Sequence, residues 1–143
     1  METVFRIGLV IGMFVCGRLC ADVRMPSVFS DNMVLQQGRP VTVRGWAEPS
    51  EKVTVEFAGQ RVGTVADQTG KWSLVLKPLR QSAEAQEMRV AGKNTLVIKN
   101  VLVGDVWLAS GQSNMEMRLK QAADAAAEIK AADYPAMRFF MVK

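Results

Sequence analysis

The stretch KVTVEFAGQRVGTVADQTGKWSLVLKPL, residues 52–79, decides the fold. Val53, Val55 and Phe57 alternate with Thr54 and Glu56, and Trp72, Leu74 and Leu76 repeat the same period of two. Successive side chains of an extended chain point to opposite faces, so each run presents one dry side and one wet side. QRVGTVA (60–66) lies between them as a further β-type run, and Asp67-Gln68-Thr69-Gly70 follows it. This spacing predicts that QRVGTVA and KWSLVLKPL form a hairpin with a four-residue connection, in which Gly70 supplies a positive φ.

Working outward, VTVRGWA (41–47) is another β run, closed by the turn residues Glu48-Pro49-Ser50-Glu51. Downstream, RQSAEAQE (80–87) is polar and reads as a loop or a weak helix, while MRVAG and NTLVIKN pair around Gly92-Lys93. Strands that are dry on one face need a second sheet to cover them. Short strands with frequent turn signals therefore predict an all-β sandwich domain over residues 22–100.

The pattern changes at Val101. VLVGDVWLAS (101–110) is a nearly continuous apolar run, as a strand buried on both faces of a parallel sheet requires. Beyond Ser113, residues Met115, Leu119, Ala122, Ala126 and Ile129 make one stripe of an amphipathic helix that ends at Asp133-Tyr134-Pro135, because proline cannot continue a helix. MRFFMVK (137–143) reads as another strand. Strand, helix and strand predict the first β-α-β unit of an α/β domain over residues 101–143, in a chain that is otherwise mainly β. One such unit leaves Val106, Leu108, Phe139 and Phe140 uncovered, so the sequence is expected to be the front part of a longer one.

The first residues stand apart. Ile7 to Gly17 is almost wholly apolar, follows Arg6 and gives way to Arg18. It is far shorter than the roughly 20 residues of a membrane-spanning helix and fits the core of a secretory signal. Residues 1–21 are expected to be an export signal cut near Ala21, giving a periplasmic or secreted protein with no membrane association afterwards. A buried N-terminal helix is the competing reading, and Arg18 disfavours a lipoprotein cut before Cys20. Both cysteines, Cys16 and Cys20, lie inside this segment, so the mature chain is expected to have no disulfide and no Cys-based metal site. Neither a metal nor a cofactor is expected.

An apolar fraction of 49% with 22% charged residues excludes a disordered chain. The net charge is +4, and without residues 1–21 the chain has 16 basic against 13 acidic residues. The basic residues are scattered from Arg39 to Lys99 rather than gathered on one helix, so nucleic acid is not an expected partner.

Ser113 admits two readings. Ser113-Asn114-Met115-Glu116 spells the capping box S-x-x-E, in which the serine oxygen accepts a backbone N–H of the first turn and the glutamate reaches back. The second reading places a serine between a buried strand and a helix, at the sheet edge where α/β proteins bind ligands. There Gly111 permits close backbone approach and freed N–H groups stabilise an oxyanion. The segment is not the G-x-S-x-G elbow, since Asn114 and Met115 follow the serine.

GDVWLASGQSNMEM (104–117) resembles the nucleophile block of the sialate O-acetylesterase family, carbohydrate esterases of the SGNH-hydrolase type in which Gly-Gln-Ser-Asn carries the catalytic serine. MPSVFSDNMVLQQGRPVTVRGWAEPSEKVTVEFAGQ (25–60) and TGKWSLVLKPL (69–79) are similar to the β domain that precedes the catalytic domain there. The resemblance departs at Ala109, Ser50 and the polar 80–87 segment. It implies an SGNH/flavodoxin-like α/β domain, truncated here, with Ser113 as nucleophile and Gly111, Gln112 and Asn114 in the substrate or oxyanion neighbourhood. It also implies an O-acetylated carbohydrate as substrate.

A serine hydroxyl needs a base to take its proton, and this chain has no histidine. The resemblance places the histidine, with a nearby aspartate, in a block beyond Lys143. Asp105, Asp124 and Asp133 are not recruited in its place, and Asp105 is expected in a turn before the strand. Two functions follow. One is an exported esterase of acetylated sugars, present as an incomplete chain and inactive alone. The other is a non-catalytic β-sandwich module that binds carbohydrate or another domain, with Trp46, Trp72 and Trp107 as stacking groups unless they pack in the core.

Overall fold

A computed structural model describes residues 22–142. The export signal read over residues 1–21, with both cysteines, lies outside these. Seven strands follow in order: β1 (Val34–Gln36), β2 (Val41–Trp46), β3 (Lys52–Phe57), β4 (Gln60–Val65), β5 (Lys71–Leu76), β6 (Ser82–Ala91) and β7 (Thr95–Gly104). Five make one sheet in the order β1-β7-β6-β3-β4, and β2 pairs with β5 in a second.

The alternation read from the sequence sets the inner faces. Val53, Val55 and Phe57 of β3 are buried, as are Val43 of β2 and Trp72, Leu74 and Leu76 of β5. These side chains join Met88, Val90, Ile98, Val101 and Val103 in one hydrophobic cluster drawn from both sheets. Apolar surface removed from water on each strand's dry face is what holds the two sheets together. Gly45 is required at the tightest point of this contact. A Cβ there would stand 2.2 Å from the Arg24 carbonyl oxygen and 2.7 Å from the Trp72 ring. The Trp72 indole Nε1, buried behind it, has no hydrogen-bond partner among the described residues.

Three expectations are corrected. The hairpin expected between residues 60–66 and 71–79 does not form: β4 pairs with β3 across Ala58-Gly59, and β5 pairs with β2 in the other sheet. Ala58 and Gly59 both take positive φ, the two-residue geometry that matches strand twist, so the local partner of β4 lies before it. Asp67 to Gly70 instead forms a crossing between sheets. Gly70 does take φ +77, and a Cβ there would meet the Ala47 carbonyl oxygen at 2.6 Å.

The polar 80–87 segment is neither loop nor helix over most of its length, because Ser82 to Glu87 is the first half of β6. Its register against β7 breaks between Ser82 and Gln86 and again between Gln86 and Met88, and its outer residues stay wet, which removes the dry-face signature.

The β-α-β unit is not formed among the described residues. Val101, Leu102 and Val103 are buried, as their continuous apolar run requires, but they belong to β7. This strand crosses position 101 unbroken, antiparallel to β6 and parallel to β1. Residues 105–112 and 137–142 carry no strand. The expected long helix reduces to one-turn 3-10 helices at Ser113–Met115 and Leu119–Gln121 and a short α1 (Ala125–Ala131). Asp124 precedes α1 in the left-handed region at φ +54, which interrupts the stripe.

Candidate active site

The site segment is the chain that leaves the sheet after β7. Its point of departure is fixed by two adjacent glutamines of the β1 end. Gln36 sits opposite Gly104 in the parallel ladder, and the Gln37 N–H donates to the Gly104 carbonyl at 2.9 Å. The Asp105 carboxylate accepts the side-chain amides of Gln37 at 3.1 Å and Gln36 at 3.4 Å. The Val106 N–H in turn donates to Gln36 Oε1 at 2.9 Å. Asp105 thus follows its strand rather than preceding one. Gln36 and Gln37 carried no chemical signal in the sequence. Their only mark was membership of the LQQG stretch within the family-like block.

Beyond this clamp the chain is open to solvent. Trp107 is 87% and Leu108 92% exposed, so the continuous apolar run from Val101 is buried only as far as the strand extends. Val106, Phe139 and Phe140 are exposed as well, which is the uncovered surface expected of them. Of the three tryptophans only Trp72 packs in the core. Trp46 is 40% exposed.

Gly111, Gln112, Ser113 and Asn114 are all exposed and contiguous at the start of the first 3-10 turn. The Met115 N–H donates to the Gln112 carbonyl at 2.9 Å and the Glu116 N–H to the Ser113 carbonyl at 3.0 Å. The capping box expected of Ser113 and Glu116 does not form. Gln112 occupies the cap, makes no side-chain cap hydrogen bond, and Glu116 closes the turn. A single 3-10 turn also has too few aligned peptides to build the dipole of a full helix. A Cβ on Gly111 would approach the Met115 Cγ to 2.9 Å, so glycine lets the following turn fold back on the segment.

The geometry presents a serine hydroxyl on an exposed turn. Among the described residues no three His, Cys, Asp or Glu side chains are grouped to hold a metal ion. No helix among them is long and apolar enough to cross a membrane. A titration shift is found at the crossing between the two sheets. The Asp67 carboxyl is held below its ordinary value by the Thr69 hydroxyl and then by the Lys71 backbone N–H.

Fold and site together define a mainly β protein that carries an exposed Gly-Gln-Ser-Asn segment beyond the end of its last strand. No family model matches the chain. The human sialate O-acetylesterase is 33% identical over 153 residues, covering 94% of this chain and 29% of that protein. The mouse sialate O-acetylesterase is 33% identical over 127 residues, covering 80% of this chain and 24% of its own length. A crystal structure of a carbohydrate acetylesterase from Xanthomonas citri is 39% identical with a TM-score of 0.74, covering 78% of this chain and 26% of that one. Over the segment it spans, the chain belongs to the sialate O-acetylesterase-like family. It spans less than a third of the length of these relatives.

Proposed function

We propose that this chain supplies the nucleophile of an exported esterase that removes O-acetyl groups from sugars. The observation that carries the reading is the coincidence of two facts. The chain is similar over most of its length to proteins named for that activity, and its Gly-Gln-Ser-Asn segment is exposed to solvent.

In this reading the Ser113 Oγ attacks the acetyl carbonyl and its proton passes to a base. The bond to the sugar oxygen breaks, and that oxygen leaves as a hydroxyl after taking the proton. Water then attacks the acetyl-serine, which releases acetate and restores the hydroxyl. The developing oxyanion is held by backbone N–H groups near Gly111 and Gln112 and by the Asn114 side chain. The chain contains no imidazole, so the base is supplied from outside these 143 residues.

The test pairs two measurements. A chain extended to the relatives' length is labelled by a serine-directed fluorophosphonate, and labelling is lost in Ser113→Ala. The 143-residue chain alone turns over an aryl acetate no faster than its Ser113→Ala control. Labelling that survives the substitution, or turnover by the short chain well above the control, overturns the assignment.

A further inference from the structure

Gln36 and Gln37 stand between two fixed points of the sandwich. Leu35, immediately before them, is buried in the core. Gly38, immediately after them, takes φ +67, and its N–H donates to the carbonyl of the buried Leu79 at 2.9 Å. The backbone of both glutamines is thus held from either side. The Val106 N–H can only donate, so it fixes which end of the Gln36 amide faces it: Oε1 accepts at 2.9 Å. The amino group then turns to the Asp105 carboxylate at 3.4 Å and the Gln37 carbonyl at 3.2 Å, and Gln37 sets its own amide on the same carboxylate at 3.1 Å. Position 36 needs a donor and an acceptor on one side chain. A glutamate there would lose the donors and set a second negative charge against Asp105.

Past Val106 the tie ends. Among the described residues, every hydrogen bond made by residues 107–142 stays within that segment. Apart from the covalent chain, the clamp of Gln36, Gln37 and Asp105 is therefore the hydrogen-bonded link between the sheets and the stretch that carries Ser113. Exposed hydrogen bonds of this kind add little to global stability. Gathered on Gly104, Asp105 and Val106, they act on direction instead, because they set where and at what angle the chain departs toward Ser113.

We propose that Gln36, Gln37 and Asp105 are positioning residues of the esterase, through which the β-sandwich sets the Ser113 hydroxyl against the acyl carbonyl. The inference rests on Ser113 being the nucleophile and gives the sandwich a part in the chemical step. None of the three side chains touches the reacting atoms; they act through the chain that leaves β7. The orientation of a reacting group enters the rate directly, and a misplacement of about 1 Å can cost about a hundredfold. Loss of the clamp therefore lowers kcat and kcat/KM together and leaves KM alone, the mark of an interaction that tells only as the transition state is reached.

The test uses the chain extended to the relatives' length and reads kcat and KM for an aryl acetate, the rate of fluorophosphonate labelling, and the melting temperature. Gln36→Ala is expected to lower kcat and the labelling rate together by about ten- to a hundredfold, with KM and melting temperature kept. Gln36→Glu should fall as far, since a carboxylate then faces a carboxylate. Combining Gln36→Glu with Asp105→Asn restores an amide–carboxylate pair in the reverse sense, still offers the Val106 N–H an acceptor, and should recover most of the lost rate. Gln60→Ala is the control: it removes side-chain bonds to the Lys77 N–H at 2.8 Å and carbonyl at 3.1 Å at the opposite edge of the larger sheet, and kcat should not change. An unaltered kcat in Gln36→Ala, a change in KM alone, no recovery in the double variant, or an equal loss in Gln60→Ala overturns the proposal. Labelling that survives Ser113→Ala removes the esterase reading and this inference with it, whereas labelling lost in Ser113→Ala but unslowed in Gln36→Ala sinks the clamp alone.

Discussion

The buried carboxylate of Glu51 accepts the backbone N–H of Lys93 at 2.6 Å, joining two turns 42 residues apart. Its other oxygen accepts the Glu48 N–H at 2.9 Å, while the Lys93 ammonium pairs with the Glu48 carboxylate. The turn before β3 and the turn between β6 and β7 are thereby pinned together. Glu51→Ala strips two partly buried N–H groups of their acceptor and should cost about 2–4 kcal/mol, since unsatisfied donors lose most of their hydration on burial. Glu51→Gln keeps one acceptor oxygen and should cost less. Urea unfolding checks both, and an unchanged midpoint in Glu51→Ala would show that the two turns hold without the carboxylate.

Gly45 should tolerate no side chain. A Cβ 2.2 Å from the Arg24 carbonyl oxygen meets backbone rather than a flexible tip, and the Trp72 ring blocks the alternative at 2.7 Å. Gly45→Ala must therefore move the residue 24 segment or unseat Trp72, at about 1–3 kcal/mol. The near-ultraviolet circular dichroism of the buried indole should weaken along with stability. A stable variant with an unaltered aromatic signal would count against this packing.

The glutamine clamp should govern the site segment without governing the fold. Gln36 Oε1 is the acceptor of the Val106 N–H, and the Asp105 carboxylate is held by both glutamine side chains. These bonds are exposed, so Gln36→Ala should change global stability by less than about 1 kcal/mol. Hydrogen exchange at Val106 should nevertheless accelerate while exchange at the buried Val101 and Val103 stays slow. Uniform acceleration along β7 would mean that the clamp supports the sheet instead.

Asp67 gives the stability a defined acid limb. Hydrogen bonds from the Thr69 hydroxyl and the Lys71 N–H favour its charged form and lower its pKa from the ordinary 3.8. A carboxylate whose folded pKa is depressed adds stability that is present above the unfolded value and lost as pH falls through the folded one. Asp67→Asn should thus melt lower than the parent at pH 7, with the gap closing as the pH drops below about 3.8. A gap that stays constant through that range would assign the effect to turn geometry alone.

The sequence by itself determined the faces. Alternation at Val53 to Phe57 and Trp72 to Leu76 marked which side chains are buried, Gly70 marked a positive φ, and the absence of histidine left Ser113 without an imidazole in this chain. The Gly-Gln-Ser-Asn block was legible as a motif, though its helical cap was not realised. Only the tertiary structure decided the neighbours. It put β4 and β5 in different sheets, turned the polar Ser82 to Glu87 into strand, gave Val101 to Val103 to β7, and set Arg24 and Lys71 on either side of Trp46. The reason is physical: a period of two follows from the local geometry of one strand, whereas the choice of partner depends on which distant surfaces bury the most apolar area together, and no local pattern records that.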